Sequence, residues 1–197
     1  MVAIASLCVF CGSSTPPDIR YPQTARAFGT LVASRGIGLV YGGGSVGLMG
    51  ITADAVLAAG GEVIGVIPGP LARKELAHSG LTRMHVVDSM HDRKALMASL
   101  VDGFIALPGG FGTFEETLEV LTWSQLGIHR KPIGLLNVEG YYDGLYRFIQ
   151  HAVAEGFVRK EYASLLLFAD APATLLEAVA AWRPPDFARA WLDVTQT

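Results

Sequence analysis

The segment Pro108 to Glu116, PGGFGTFEE, carries the residue types most suited to chemistry on a phosphorylated ligand. Gly109, Gly110 and Gly112 surround Phe111 and lead into Thr113 at a predicted helix start. Without side chains in the way, first-turn amides and the positive end of the helix dipole favour a bound phosphate. The GxxxxGK[ST] spacing of a P-loop is absent, and no lysine follows, which argues against ATP chemistry. Glu116 has two readings. Thr113-Phe114-Glu115-Glu116 fits a capping box, in which Glu116 would only steady the helix start. Alternatively its carboxylate, close to a bound phosphate, serves the reaction and needs a neighbouring cation to offset like-charge repulsion. Glu115 lies about a quarter turn away, so one of the two acts alone.

Arg93 is the candidate cation. Ser89-Met90-His91-Asp92 is a second capping box, which places Arg93 in the first turn of a helix, on the stripe of Leu96 and Leu100. A long cation there either snorkels to water or points inward. Lys94 projects a quarter turn away, so the pair suits two groups of one ligand. Another glycine turn, Gly42 to Gly47, matches GxGxxG. The following strand ends in Pro68-Gly69-Pro70 rather than the acidic residue that would hold a dinucleotide ribose. This turn therefore either packs helix on sheet or lines a nucleotide pocket with bare backbone.

Elements of alternating type must position these turns. Strand-like runs are expected at Val2 to Phe10, Ile37 to Tyr41, Glu62 to Ile67, Met84 to Val87, Gly103 to Leu107, Ile133 to Leu136 and Leu165 to Phe168. Helices are expected near Tyr21 to Ser34, Leu48 to Ala59, Met90 to Leu100, Phe114 to Leu126, Tyr142 to Glu155 and Ala173 to Trp182. The alternation predicts an α/β, Rossmann-like, doubly wound and mostly parallel sheet with helices on both faces. Its ligand belongs in the crevice beyond the carboxyl ends of the strands. Residues 1–183 read as a single nucleotide-binding catalytic domain, and 184–197 as a tail or short docked helix after Pro184 and Pro185.

Composition narrows the class. The chain has 197 residues, 51% apolar and 17% charged, which is enough for one sizeable core and too apolar for disorder. Fifteen basic against 18 acidic residues leave no broad footprint for nucleic acid or an anionic membrane. The first ten residues lack a basic n-region and no apolar run has spanning length, so a soluble cytoplasmic protein is expected. Cys8 and Cys11 form a CxxC at the end of a predicted strand, which suits two small buried residues better than a redox pair. Neither they nor His78, His85, His91, His129 and His151 show the spacing of a metal site.

Taken together, these pieces resemble the Lonely Guy (LOG) family of cytokinin-activating phosphoribohydrolases, often labelled lysine decarboxylase-like. The similarity runs from Val9 to about Leu145: FCGSS at Phe10 to Ser14, VYGGGSVGLMG at Val40 to Gly50, VIGVIP at Val63 to Pro68, and the pair Arg93-Lys94. It continues through FIALPGGFGTFEE at Phe104 to Glu116, TWSQLGIHRKP at Thr122 to Pro132, and GYYDGL at Gly140 to Leu145. The resemblance implies catalytic roles for Arg93 and Glu116. It implies substrate binding by Glu75, Lys94, Gly110, Phe111, Gly112, Thr113, Phe114, Glu115 and Thr122, with Gly12, Ser13, Gly43 and Met49 as further candidates. It also implies a homodimer with active sites near the interface, no metal and no organic cofactor. The chain departs from the family pattern at Thr15-Pro16-Pro17, where glycine is usual, and at Phe114, where leucine is common.

The activity so implied is hydrolysis of the N-glycosidic bond of N6-substituted adenosine 5′-monophosphates, with Glu116 meeting the positive charge at C1′ and Arg93 holding Glu116 ionised. The alternatives are a general AMP nucleosidase, a non-catalytic nucleotide or molybdopterin carrier, and a pyridoxal-phosphate decarboxylase. The last would need a Schiff-base lysine among Lys74, Lys94, Lys131 and Lys160.

Overall fold

The computed structural model describes residues 4–72 and 77–185. Seven strands form one sheet: β1 (Ser6–Phe10), β2 (Gly38–Tyr41), β3 (Val63–Pro68), β4 (Arg83–Val87), β5 (Gly103–Ala106), β6 (Ile133–Leu136) and β7 (Leu166–Ala169). Their order is β4-β3-β2-β1-β5-β6-β7, and all six pairings are parallel. The chain reverses its direction of travel across the sheet between β1 and β5, so the crevice at their carboxyl ends is the topological switch point.

The principal helices are α1 (Arg20–Ser34), α2 (Gly47–Ala58), α4 (Met90–Ser99), α5 (Phe111–Leu126), α6 (Asp143–Ala154) and α8 (Pro172–Ala181); α3 (Gly69–Leu71) and α7 (Lys160–Ala163) are single turns. Strand side chains alternate between faces, and β1 shows the division. Leu7, Val9 and Cys11 join a core with Phe28 and Val32 of α1, Val56 of α2 and Leu175 of α8. Cys8 and Phe10 join a second core with Met97 of α4 and Val120 of α5. The CxxC cysteines therefore sit on opposite faces of the sheet, both free and buried, and burial pushes both thiols well up. They are packing residues.

The elements follow the hydrophobic pattern with shifts at their ends. The strand expected from Val2 begins at Ser6, and Asp102 Oδ2 accepts the amides of Ala5 and Ser6 at 2.8 and 3.0 Å. One shift matters for the site. Helix α5 starts at Phe111, three residues before the expected Phe114, with Gly110 extended at its N-cap and no side-chain capping bond. Thr113 lies inside the first turn, where its side chain packs on Gly109: a Cβ there would lie 2.1 Å from Thr113 Oγ1. The Thr113–Glu116 capping box is thus absent. The expected tail at 184–197 lies largely outside the described residues, as does Glu75.

Helices α1 and α2 approach each other at Gly29, where an added Cβ would sit 2.6 Å from the Thr52 carbonyl oxygen and 2.9 Å from Ala55 Cβ. Backbone cannot yield as a flexible side chain does. Gly29→Ala is expected to lower stability by about 1–3 kcal/mol, read as a shift of the urea unfolding midpoint at unchanged slope.

Candidate active site

Three turns meet at the switch point. The β1 turn is tied to the β5 turn, where the Gly12 amide donates to the Pro108 carbonyl at 3.1 Å, and to α2, where the Leu48 amide donates to the Gly12 carbonyl at 2.9 Å. Gly47, at φ +62°, fits against Ser13: a Cβ would lie 2.2 Å from the Ser13 carbonyl carbon. The β6–α6 turn closes the other side. Asn137 organises it, its side-chain Oδ1 accepting the Tyr142 amide at 2.7 Å while its Nδ2 donates to Asp143 and Asp170. Tyr142 then donates its hydroxyl to the Leu107 carbonyl at 2.7 Å, and Tyr141 donates to the Gly109 carbonyl. Two consecutive tyrosines thereby hold the β5–α5 turn in place.

The resulting cavity, about 260 Å³, is lined by Cys11, Gly12, Ser13, Met49, Met90, Arg93, Gly110, Phe111, Gly112, Thr113, Glu115 and Glu116. A neighbouring hollow of about 330 Å³ shares Gly12, Ser13 and Gly110 and adds Pro16, Tyr21, Leu48 and Tyr141. An added Cβ at Gly110 or Gly112 would meet nothing within 4 Å. The fold therefore does not require glycine there, whereas a ligand pressed on the α5 amides would.

Glu116 lies on the second turn of α5 and is 9% exposed. Its Oε1 stands 3.6 Å from Arg93 Nη1, both side chains nearly buried. Arg93 is anchored by its Nε, which donates to the Val66 carbonyl at 3.1 Å, and it occupies the space that Gly42 leaves open. A Cβ at position 42 would lie 1.8 Å from Arg93 Nη2. The first glycine of the GxGxxG turn thus makes room for a guanidinium. Desolvation outweighs the attraction of Arg93, and Glu115 and Glu119 add repulsion, so the Glu116 carboxyl is pushed up to about 6. Arg93 pulls against this shift, as the expectation that it holds Glu116 ionised requires, without cancelling it. At neutral pH the group is still mainly ionised.

Of the other sequence candidates, Lys94 is held by Glu115 at 2.6 Å and Glu119 at 2.8 Å. Phe114 packs inward beside Phe111. Thr122 lies farther along α5 and donates its hydroxyl to the Leu118 carbonyl at 2.8 Å. Gly43, at φ +74°, faces Met84 and Ile67, away from the cavity lining. Sequence reasoning missed Met90, Tyr21 and Tyr141 as residues of the two hollows. The GYYDGL motif held a signal for Tyr141, since paired aromatics straight after a buried strand sit at the carboxyl end of the sheet.

Residues 49–179 match the family model described as possible lysine decarboxylase. The chain is 51% identical to a probable cytokinin riboside 5′-monophosphate phosphoribohydrolase of Oryza sativa subsp. japonica, over 91% of this chain and 73% of the relative. It is 49% identical to a cytokinin riboside 5′-monophosphate phosphoribohydrolase of Arabidopsis thaliana, over 90% of this chain and 84% of the relative. The chain belongs to the LOG family. Among solved structures, the molybdenum cofactor carrier protein of Chlamydomonas reinhardtii superposes with a TM-score of 0.68 at 23% identity, covering 90% of this chain and 97% of that one. That likeness shows the shared fold. In this LOG chain no helix among the described residues is long and apolar enough to cross a membrane, and no three metal-ligating side chains come together.

Two outcomes follow for Glu116 and its neighbours. Its pKa is raised in the folded chain, so stability is full below the ordinary carboxylate range and is lost as pH rises through about 6. Glu116→Gln is therefore expected to stabilise the protein by on the order of 1–2 kcal/mol at pH 7.5, with the difference closing towards pH 4.5, as read by unfolding at both pH values. Gly42→Ala evicts the Arg93 guanidinium, and a 13C NMR titration of the Glu116 carboxyl is expected to move above about 6.

Proposed function

We propose that the chain hydrolyses the N-glycosidic bond of N6-substituted adenosine 5′-monophosphates, releasing the free base and ribose 5-phosphate. The observation that carries this reading is the buried Glu116 carboxylate, freed of any capping duty, facing an open cavity beside Arg93 and one turn from uncovered helix amides. The relatives support the reaction, and the placement of Glu116 and Arg93 at the cavity supports roles for both.

The amides of Gly110 to Thr113 hold the 5′-phosphate at the head of α5. Cleavage of the C1′–N9 bond sends its electron pair to the departing base, which takes up a proton from solvent, and leaves positive charge on the ribose. Glu116 stabilises that charge and accepts a proton from the water whose oxygen bonds to C1′. Arg93 keeps enough of Glu116 ionised at neutral pH for this work. Family resemblance adds Glu75 and Thr122 as nucleotide contacts. It also supports residues 1–183 as one catalytic unit in a cytoplasmic homodimer, for which Met90 and Phe111 supply exposed apolar surface at the cavity.

A carrier using the same glycine turns has no use for a carboxylate whose ionisation costs stability. A pyridoxal-phosphate decarboxylase is disfavoured by the lysines: Lys94 is bound by two carboxylates and Lys131 donates to the Ala98 carbonyl at 2.7 Å. General AMP cleavage differs only in base preference.

The test is release of base from isopentenyladenosine monophosphate and from AMP. Glu116→Gln is expected to cut kcat by at least about 100-fold, and Arg93→Ala by a similar factor. Near wild-type turnover in Glu116→Gln overturns the reading. For the wild type, kcat is expected to fall as pH drops through about 6, where Glu116 takes up its proton.

A further inference from the structure

The turn between β5 and α5 presents three successive carbonyls, those of Pro108, Gly109 and Gly110. The first accepts the Gly12 amide at 3.1 Å and the third the Phe114 amide at 3.1 Å, so neighbouring backbone pins both. The middle one depends on a side chain. Tyr141 donates its hydroxyl to the Gly109 carbonyl from the β6–α6 turn, and no other donor reaches that oxygen among the described residues.

Glycine on both sides makes the middle peptide the loosest in the turn. Rotating the Gly109–Gly110 peptide as a unit changes ψ of Gly109 and φ of Gly110, and neither residue carries a Cβ to resist. Packing imposes glycine at 109, where a Cβ would lie 2.1 Å from Thr113 Oγ1 and 2.8 Å from the Gly12 nitrogen. A trans peptide points its C=O and N–H in opposite directions, so holding the Gly109 carbonyl towards Tyr141 turns the Gly110 N–H away from it. Of the two hollows, Tyr141 lines the neighbouring one alone, whereas Gly110 also lines the cavity of Glu116 and Arg93. The Gly110 amide has no protein partner among the described residues. A flipped peptide would present a carbonyl oxygen in its place and repel an anion.

We propose that Tyr141 is a positioning residue for the 5′-phosphate: its hydroxyl fixes the Gly109–Gly110 peptide so that the Gly110 amide faces the ligand. The inference rests on the phosphate placement in the proposed function and extends it to a side chain outside the glycine motif.

Tyr141 is itself held still. Its ring meets those of Tyr21 and Tyr142 edge to face, with centroids 5.9 and 5.0 Å apart. Just before it, Glu139 and Gly140 both take left-handed backbone, at φ 52° and 71°, and Glu139 pairs with Arg20 at the start of α1. A non-glycine residue keeps that conformation only where its surroundings hold it. The fold needs the Tyr141 hydroxyl less than that of Tyr142, which already secures the end of β5 at the Leu107 carbonyl. At 38% exposure Tyr141 could bond water instead, whereas Tyr142, at 2%, could not.

Tyr141→Phe keeps the ring and removes the tie. A hydrogen bond of ordinary strength biases such a flip by roughly tenfold, and apparent affinity follows the fraction of molecules in the competent orientation. Calorimetry on the full chain, in a Glu116→Gln background so that no turnover intrudes, is expected to show Tyr141→Phe weakening AMP by about three- to tenfold and adenosine by less than about 1.5-fold. In base release by the otherwise wild-type chain, KM rises by the same factor while kcat stays within about twofold, because a phosphate contact serves ground state and transition state alike. In ligand-free 15N NMR, relaxation dispersion at the Gly110 amide is expected to appear or grow in Tyr141→Phe, as a peptide exchanging between two orientations requires. A hydroxyl that merely touched the ligand would leave that resonance as in the wild type.

Unchanged AMP affinity in Tyr141→Phe, equal weakening of AMP and adenosine, or a ligand-free Gly110 amide that behaves as in the wild type overturns the positioning role. A wild-type chain that binds AMP no more tightly than adenosine overturns the phosphate placement and the positioning role with it. One that binds AMP and releases base from neither nucleotide overturns the hydrolysis alone, and the calorimetry and NMR still decide the role of Tyr141.

Discussion

An ionised carboxylate in a nearly dry cleft is the constraint around which this molecule is arranged. Glu116 gives up most of its hydration, and burial alone would drive it to the neutral form. Three features limit the shift: a guanidinium 3.6 Å away, a carbonyl on β3 that holds the guanidinium still, and a glycine on the β2 turn that leaves it room. Each comes from a different part of the sheet. The parallel arrangement brings them together because all the strands deliver their turns to the same end. A carboxyl balanced near 6 is mainly ionised at neutral pH and little stabilised by solvent.

The architecture was legible because apolar periodicity is long-range information written locally. Runs such as those of β1 and β5 are apolar on both faces, as strands covered by helices on both sides must be. The cysteines illustrate the same point, since alternation along β1 sends Cys8 and Cys11 to opposite layers whatever their chemistry. The start of α5 was not legible. Thr113 and Glu116 have the identity and spacing of a capping box, and only the close packing of Thr113 on Gly109 shows that the helix has already begun. Gly42 eluded the sequence for a related reason: its requirement comes from Arg93, fifty-one positions away, and not from its own turn. The candidate site was therefore readable as a set of residue types and unreadable as a set of reasons.

The shared fold of a molybdenum cofactor carrier places this division in context. A doubly wound sheet with glycine turns at its switch point offers backbone amides to any anionic ligand, with no commitment to chemistry. To such a platform this chain adds a carboxylate one turn beyond the amides, and a cation in a space that backbone vacates for it. Ionic contacts from Lys94 of α4 to Glu115 and Glu119 of α5 join the two helices that carry this pair.

The position of the crevice at the β1–β5 seam has a further consequence. The sheet's two halves meet along a single strand pairing, and the hydrogen bond from Gly12 to Pro108 continues that seam into the loops. Strands β4 and β7 lie at the outer edges, joined to the sheet on one side only. Sequence drift, insertion and new surface chemistry are therefore cheapest at the margins and costliest along the midline. A shift at the β1–β5 pairing is felt in both halves of the sheet, whereas one at β4 or β7 disturbs a single neighbouring strand.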